Sequence, residues 1–312
     1  MVVAMAMRLR GGTVADVENF ARLINEYHQQ LRGEDLWQID ELASLLVSPS
    51  SDPVQFDRYL EVDGVAVGGL HTHSSAPYRK AALYLACPLG PNRLSYAQHL
   101  LDAGMRVLRG RTEIPANATV QIDVPAEDSE LHELVRSLGF ARANQVAIME
   151  AELAGISTPE WPGGFHYSEF GADSDLRAGF AIVKTAFAGM PAWWHVEERD
   201  FVYMMRHDPT ALPGLSLVAL RHNEAAGIAV NFEDTTRKNT GLIGMFAVMP
   251  HMQGQGVGKA LLAQSFQQFS KLGWTHARLA TIYGYREGEP SIYRAAGMRP
   301  VHFNETFLRT LD

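Results

Sequence analysis

The stretch GMFAVMPHMQGQGVGKA, residues 244–260, joins an apolar strand-like run to a helix through a turn rich in glycine. Gly244 to Val248 reads as the strand, and Pro250 ends it. Across Gln253-Gly254-Gln255-Gly256-Val257-Gly258, several backbone N–H groups stand with little side-chain bulk around them. Glycine lets the chain curl, and a helix start adds partial positive charge. Together these are the physical requirements for gripping a phosphate by main chain. A Walker A loop would place glycine at position 253 and Ser or Thr at 260, but the chain has Gln253 and Ala260. A dinucleotide fingerprint begun at Gly254 meets Lys259 where Gly or Ala is needed, and one begun at Gly256 meets Leu261.

The segments that follow narrow the choice. Val257 to Leu272 reads as a helix with Val257, Leu261, Ser265 and Phe269 on one stripe, and Gly273 is a natural stop. Ala277 to Ile282 reads as a strand, Tyr283 to Pro290 as a polar loop, and Ser291 to Ala296 as a short helix closed by Gly297-Met298. Val301 to Leu308 alternates weakly, as a last strand would. This order resembles the acetyl-CoA-binding half of the GCN5-related N-acetyltransferase (GNAT) superfamily. Its signature Gln/Arg-x-x-Gly-x-Gly/Ala corresponds to Gln253 through Gly258, and its Tyr-x-x-x-Gly-Phe element to Tyr293 through Met298. Two departures stand out: Arg286 occupies a position where members often carry Asn, and Met298 replaces Phe.

Self-comparison extends the resemblance to the rest of the 312 residues. Leu134 to Phe140 resembles Ile292 to Met298, with Gly139 and Gly297 158 residues apart. The same offset lays Gly69 on Gly227, and Met7-Arg8-Leu9-Arg10 on Phe165-His166-Tyr167-Ser168. The expected fold class is therefore α/β of the α+β type: two tandem acyl-CoA N-acyltransferase domains, each a mixed, mostly antiparallel sheet flanked by helices. Residues 155–164 are dense in Pro, Gly and Ser and read as a linker between domains at 1–154 and 165–312. The halves differ. Gly256 falls on Gln98 and Tyr293 on Val135, so the first half lacks both the glycine turn and the tyrosine, and reads as degenerate.

Composition bounds the remaining classes. A net charge of −8 argues against general nucleic-acid binding. No apolar run is long enough for a membrane span. The start, MVVAMAMRLR, carries its charges after the apolar residues, the reverse of a secretion signal, so the cytoplasm is expected. Cys87 is the single cysteine, without a Cys-x-x-Cys pattern, and no metal site is read.

The resemblance also implies roles. Acetyl-CoA would be the co-substrate, with Phe246, Ala247 and Val248 bonding its pantetheine arm. Gln253, Gly254, Gln255, Gly256, Val257, Gly258 and Lys259 would hold its diphosphate, although Lys259 reads equally as a solvated helix residue. Tyr293 would protonate the leaving thiolate. Glu233 is the candidate base, at the end of a strand-like segment beside Asp234, though both also read as the start of a polar turn. His251 is expected to face solvent. Ala186 to His195, with Trp193 and Trp194, is a candidate acceptor lid or a packing segment. The expected acceptor is a small-molecule amine or thiol conjugate, and a monomer is expected. The alternative is a CoA-binding sensor or scaffold whose catalysis has lapsed.

Overall fold

The computed structural model describes residues 6–46, 48–51, 53–74, 78–156, 158–170, 173–188, 197–283 and 289–312. The chain forms two compact units, one made of residues 1–143 with 304–312, the other of residues 144–303.

In chain order the first half holds strand β1 (Met7–Gly11), helices α1 (Val17–Arg32), α2 (Ile39–Leu46) and α3 (Pro53–Phe56), and strands β2 (Arg58–Val62), β3 (Val65–Ser74) and β4 (Lys80–Ala86). Helix α4 (Arg93–Arg109), strand β5 (Thr119–Pro125), helix α5 (Ser129–Ser137) and strand β6 (Ala141–Glu152) complete it. The second half begins with β7 (Phe165–Glu169), α6 (Asp173–Ala186), α7 (Glu198–His207), β8 (Leu217–Arg221), β9 (Glu224–Glu233) and β10 (Thr240–Val248). It ends with α8 (Val257–Lys271), β11 (His276–Ile282), α9 (Glu289–Ala295) and β12 (Arg299–Thr310).

The sheet of the first unit runs β1-β2-β3-β4-β5-β12, and that of the second β7-β8-β9-β10-β11-β6. In each, the fourth and fifth strands are parallel and the other pairings antiparallel. Each second strand turns into the third through two residues of positive φ, Asp63-Gly64 and His222-Asn223. That backbone matches the natural twist of a tight hairpin.

The final strand of each half belongs to the other unit. Asn304–Thr310 of β12 pairs with β5, and Val146–Glu152 of β6 pairs with β11. The exchanged strands supply core residues where they land. Phe307 and Leu311 enter the first core, while Ala147, Met149, Ala151 and Leu153 enter the second. Residues 144–154 thus group with the C-terminal half and 304–312 with the N-terminal half, unlike the division at 154 and 165 read from composition. A linker signal marks where chain leaves an element; it does not say which sheet the next strand joins.

The repeat register also shifts inside the first hairpin. Met7 and Phe165 open β1 and β7 at the 158-residue offset, as do Ala141 and Arg299 for β6 and β12. Gly227, however, corresponds to Gly68, not to Gly69. Side chains added at Gly68 and Gly227 would strike Leu100 of α4 and Leu261 of α8, whereas one at Gly69 would strike Phe20 of α1. A one-residue slip moves a strand residue to the opposite face, so contact with the equivalent helix decides the pairing.

Candidate active site

After β10, Pro250–Met252 makes a single helical turn, and Gln253 folds back so that its Nε2 donates to the Val248 carbonyl at 3.1 Å. Gln255 Nε2 donates to the His251 carbonyl at 3.2 Å, and Gln255 Oε1 accepts from Arg221 at 2.9 Å. Gly254 and Gly256 take φ of 75° and 85°, a left-handed conformation that glycine adopts without steric cost, and Gly256 is the N-cap of α8. The glutamine side chains thus brace the turn while its amides stay unengaged. Among the described residues, none accepts a hydrogen bond from the backbone N–H of Gly254, Gln255, Gly256, Val257, Gly258 or Lys259. The first protein bond at the helix start is Ala260 N–H to the Gly256 carbonyl, 3.1 Å.

Beside this turn the sheet opens. β10 pairs with β11 only from Thr240 to Ile243. A bulge at Gly244 breaks the β9 register between Ile243 and Met245, and the Phe232 ring occupies the space a side chain at Gly244 would need. Met249 N–H donates to the Ala226 carbonyl at 2.8 Å. Main-chain groups alternate sides along an antiparallel strand, so those of Ala247 turn to β9 and those of Phe246 and Val248 face the opening. Of the three strand residues named from the resemblance, Ala247 is therefore committed to β9, and the Val248 carbonyl is taken by Gln253, which leaves the main chain of Phe246 facing the opening.

Tyr293 lies on α9 and is 8% exposed. Its ring meets Phe246 edge-on, with centroids 6.2 Å apart. Gly258 explains the closeness of the elements: a Cβ there would stand 3.1 Å from Ile292 and 3.6 Å from Phe246. The first turn of α8, the open edge of β10 and α9 therefore converge on one spot. The end of α9 is closed by Met298 N–H to the Tyr293 carbonyl, 2.9 Å, and Gly297 N–H to the Arg294 carbonyl, 3.0 Å. That pair of bonds, with Gly297 at φ 83°, is a Schellman motif. It gives the Tyr-x-x-x-Gly-apolar spacing a physical meaning, since Met298 packs into the same core as Tyr293.

Glu233 is not brought to this spot. It pairs with Gly241, whereas Phe246 pairs with Ala229. Four residues of strand separate Ala229 from Glu233, about 13 Å. The Glu233 side chain is exposed, and its N–H is used by the Thr210 carbonyl at 2.8 Å. Asp234 accepts from Thr236 N–H and Oγ1 at 3.1 and 2.6 Å, the polar-turn arrangement. His251 Nε2 pairs with Glu224 at 3.0 Å on the surface. Lys259 is exposed on the first turn of α8. Arg286, Trp193 and Trp194 lie outside the described residues, as does most of the candidate lid.

The first unit handles the equivalent place differently. Arg93, at the start of α4, makes a two-pronged bond to Asp128, the N-cap of α5, at 2.7 Å on each prong. Tyr27 Oη also donates to Asp128, at 2.7 Å. Burial acts to raise the Asp128 pKa, but the bonds from Arg93 and Tyr27 outweigh it and hold the carboxyl below its ordinary value. α5 ends with the same Schellman pair, Phe140 N–H to the Val135 carbonyl at 3.1 Å and Gly139 N–H to the Arg136 carbonyl at 2.9 Å. The motif frame is retained, with Val135 where α9 carries Tyr293. Cys87 is buried, its thiol pushed up to about 12 by burial, and it donates to the Arg93 carbonyl. That is an inert cysteine. The Arg93–Asp128 clamp escaped sequence reading because its partners lie 35 residues apart without a motif.

Residues 181–297 match the acetyltransferase (GNAT) family. The chain carries a GNAT domain. The matched GNAT segment lies inside the second unit and contains the glycine turn, the opened strand and Tyr293. No curated protein matches the chain by sequence. Among solved structures, a GCN5-related N-acetyltransferase from Sphaerobacter thermophilus superposes with a TM-score of 0.78 at 23% identity, over 98% of this chain and 96% of that one. A tandem GNAT protein from the clavulanic acid biosynthesis pathway gives 0.74 at 14% identity, over 98% and 99%. A glucosamine N-acetyltransferase region of a fungal multi-domain GH3 β-N-acetylglucosaminidase gives 0.71 at 11% identity, covering 99% of this chain and 38% of that one. The architecture is that of tandem GNAT proteins. Among the described residues no helix is long and apolar enough to cross a membrane, and no His, Cys, Asp and Glu group is arranged to hold a metal ion.

Proposed function

We propose that the second unit transfers an acetyl group from acetyl-CoA to the primary amine of a small molecule. One observation carries this reading: the unengaged N–H groups of Gly254 through Lys259 stand beside the spot where Gly258, Phe246 and Tyr293 converge. Amides at a left-handed glycine corner and a helix start suit the diphosphate of a coenzyme, and the Lys259 charge adds attraction. The outward main-chain groups of Phe246 and the N–H of Val248 suit the amide-bearing pantetheine arm, in the manner of an added strand.

The coenzyme supplies a thioester whose carbonyl the amine attacks directly. A C–N bond forms, the C–S bond breaks, and the sulfur takes the Tyr293 phenolic proton. A thiol near about 8.5 and a phenol near about 10 make that transfer only modestly uphill. Tyr293 regains a proton from the new amide nitrogen by way of solvent. Since Glu233 lies too far along β9 to act, the acceptor enters as the free amine, and kcat/KM rises with pH until the acceptor itself titrates.

The test is calorimetric titration of the chain with acetyl-CoA, paired with detection of free CoA thiol across a panel of amines and thiols. Binding with amine-dependent thiol release supports the reading. Binding without release from any acceptor favours the sensor alternative, and absence of binding overturns the site.

A further inference from the structure

The first unit carries a polar row where a helix-covered sheet is normally apolar. His71 on β3 pairs directly with Tyr84 on β4. The β4–β5 pairing ends at Leu83 and Ile122, so Asp123 is the next residue beside Tyr84. Asp123 then pairs with Thr306 on β12. Directly opposed residues share a face, so the four side chains line up across four strands. The face is the one covered by α1, because Phe20 meets the His71 ring at 6.5 Å and Trp37 meets the Tyr84 ring at 6.0 Å.

Exposure varies along the row: His71 and Thr306 at its ends are buried, Tyr84 is half-buried and Asp123 is exposed. At the β3 end, His71 Nδ1 lies 2.6 Å from the buried carboxylate of Asp57. An ionised carboxylate only accepts, so Nδ1 carries the proton and Nε2 is left to face the row. Among the described residues Nε2 has no hydrogen-bond partner, and Asp57 Oδ2 is buried without one. At the exposed position, Asp123 accepts from Thr306 Oγ1 at 2.6 Å and Gln121 Nε2 at 2.9 Å. Desolvation of the carboxylate by the surrounding protein raises the Asp123 pKa while the bonds from Thr306 and Gln121 work the other way, so a neighbouring cation would favour the ionised form. The equivalent of His71 in the second unit is Val230, inside an apolar cluster.

We propose that this row is a binding site for a small primary ammonium compound, its cation on Asp123, its body against Trp37 and Tyr84, and a hydroxyl or second polar group on His71 Nε2. Carboxylate and aromatic faces together suit an ammonium group, and the imidazole suits a donor or acceptor at the far end. This site is independent of the acetyl-transfer reading, because its residues all belong to the first unit.

The experiment titrates the full chain by calorimetry with tyramine, glucosamine and putrescine, and with 4-ethylphenol as the uncharged counterpart of tyramine. At least one ammonium probe binds, 4-ethylphenol does not, and Asp123→Asn weakens the bound probe about tenfold or more. In parallel, the His71 ring-proton NMR resonance, assigned by its loss in His71→Asn, moves during the titration. Acetyl-CoA binding stays unchanged in Asp123→Asn. If no probe binds at millimolar concentration, or if binding survives Asp123→Asn with the His71 resonance unmoved, the proposal falls. Should Asp123→Asn unfold, the His71 resonance in the unaltered chain decides.

Discussion

Arg93 clasps Asp128 with two hydrogen bonds of 2.7 Å and ties the start of α4 to the start of α5. In the second unit the corresponding helix starts, those of α8 and α9, have Gly258 and Ile292 between them instead. One unit has closed with a buried ion pair the place where the other keeps unengaged amides.

Titration calorimetry is therefore expected to give one acetyl-CoA per chain. A second equivalent that persists when Gly258 is replaced would show that the first unit binds the coenzyme despite the clamp.

Asp128→Ala removes both prongs of the clamp and leaves Arg93 only its bond to Glu130 at 2.8 Å, which should cost about 1–3 kcal/mol, read as a fall in denaturation midpoint. The pH dependence follows from the sign of the shift. The Asp128 pKa is depressed in the fold, so its contribution is complete above the unfolded value of about 4 and is lost as pH falls through the folded value. Acid melts should show the Asp128→Ala variant losing less stability below that range than the unaltered chain.

Tyr293→Phe keeps the ring and its edge-on contact with Phe246 but removes the proton. Turnover should fall about tenfold or more while acetyl-CoA binding holds. Equal turnover in the variant would remove the acid role.

Gly258→Val forces a branched side chain against Ile292, Val248 and Phe246. Acetyl-CoA affinity should drop about tenfold or more, as when one charge-assisted hydrogen bond is lost. Circular dichroism should stay near that of the unaltered chain, and tight binding by a folded variant would move the coenzyme elsewhere.

Phe307 is fully buried in the first core although it belongs to the last strand of the chain. Phe307→Ala should cost about 3–5 kcal/mol. Hydrogen exchange should localise the loss to β5 and its neighbours in the first unit, not to β11.

Much of the second unit was legible because its signals are local. The glycine turn, the helix after it and the Tyr293-to-Met298 ending depend on residues a few positions apart, where conformational preference and periodicity act directly. Glu233 was not placed by the sequence, because a strand end close to the motif along the chain lies about 13 Å along β9 from Ala229, the residue opposite Phe246. The pairing of Gly69 with Gly227 misled because apolar patterns tolerate a one-residue slip that a sheet face does not.

The amino-acid order by itself determined the glycine turn, the Schellman endings at Gly139 and Gly297, and the repeat that makes the two sheets alike, since each arises from backbone freedom or short-range spacing. Tertiary structure alone decided that the last strands trade places, that Arg93 finds Asp128, and that His71, Tyr84, Asp123 and Thr306 fall into one row. Those outcomes hang on which strand edges and buried charges meet across long stretches of chain, and no local pattern encodes such a meeting.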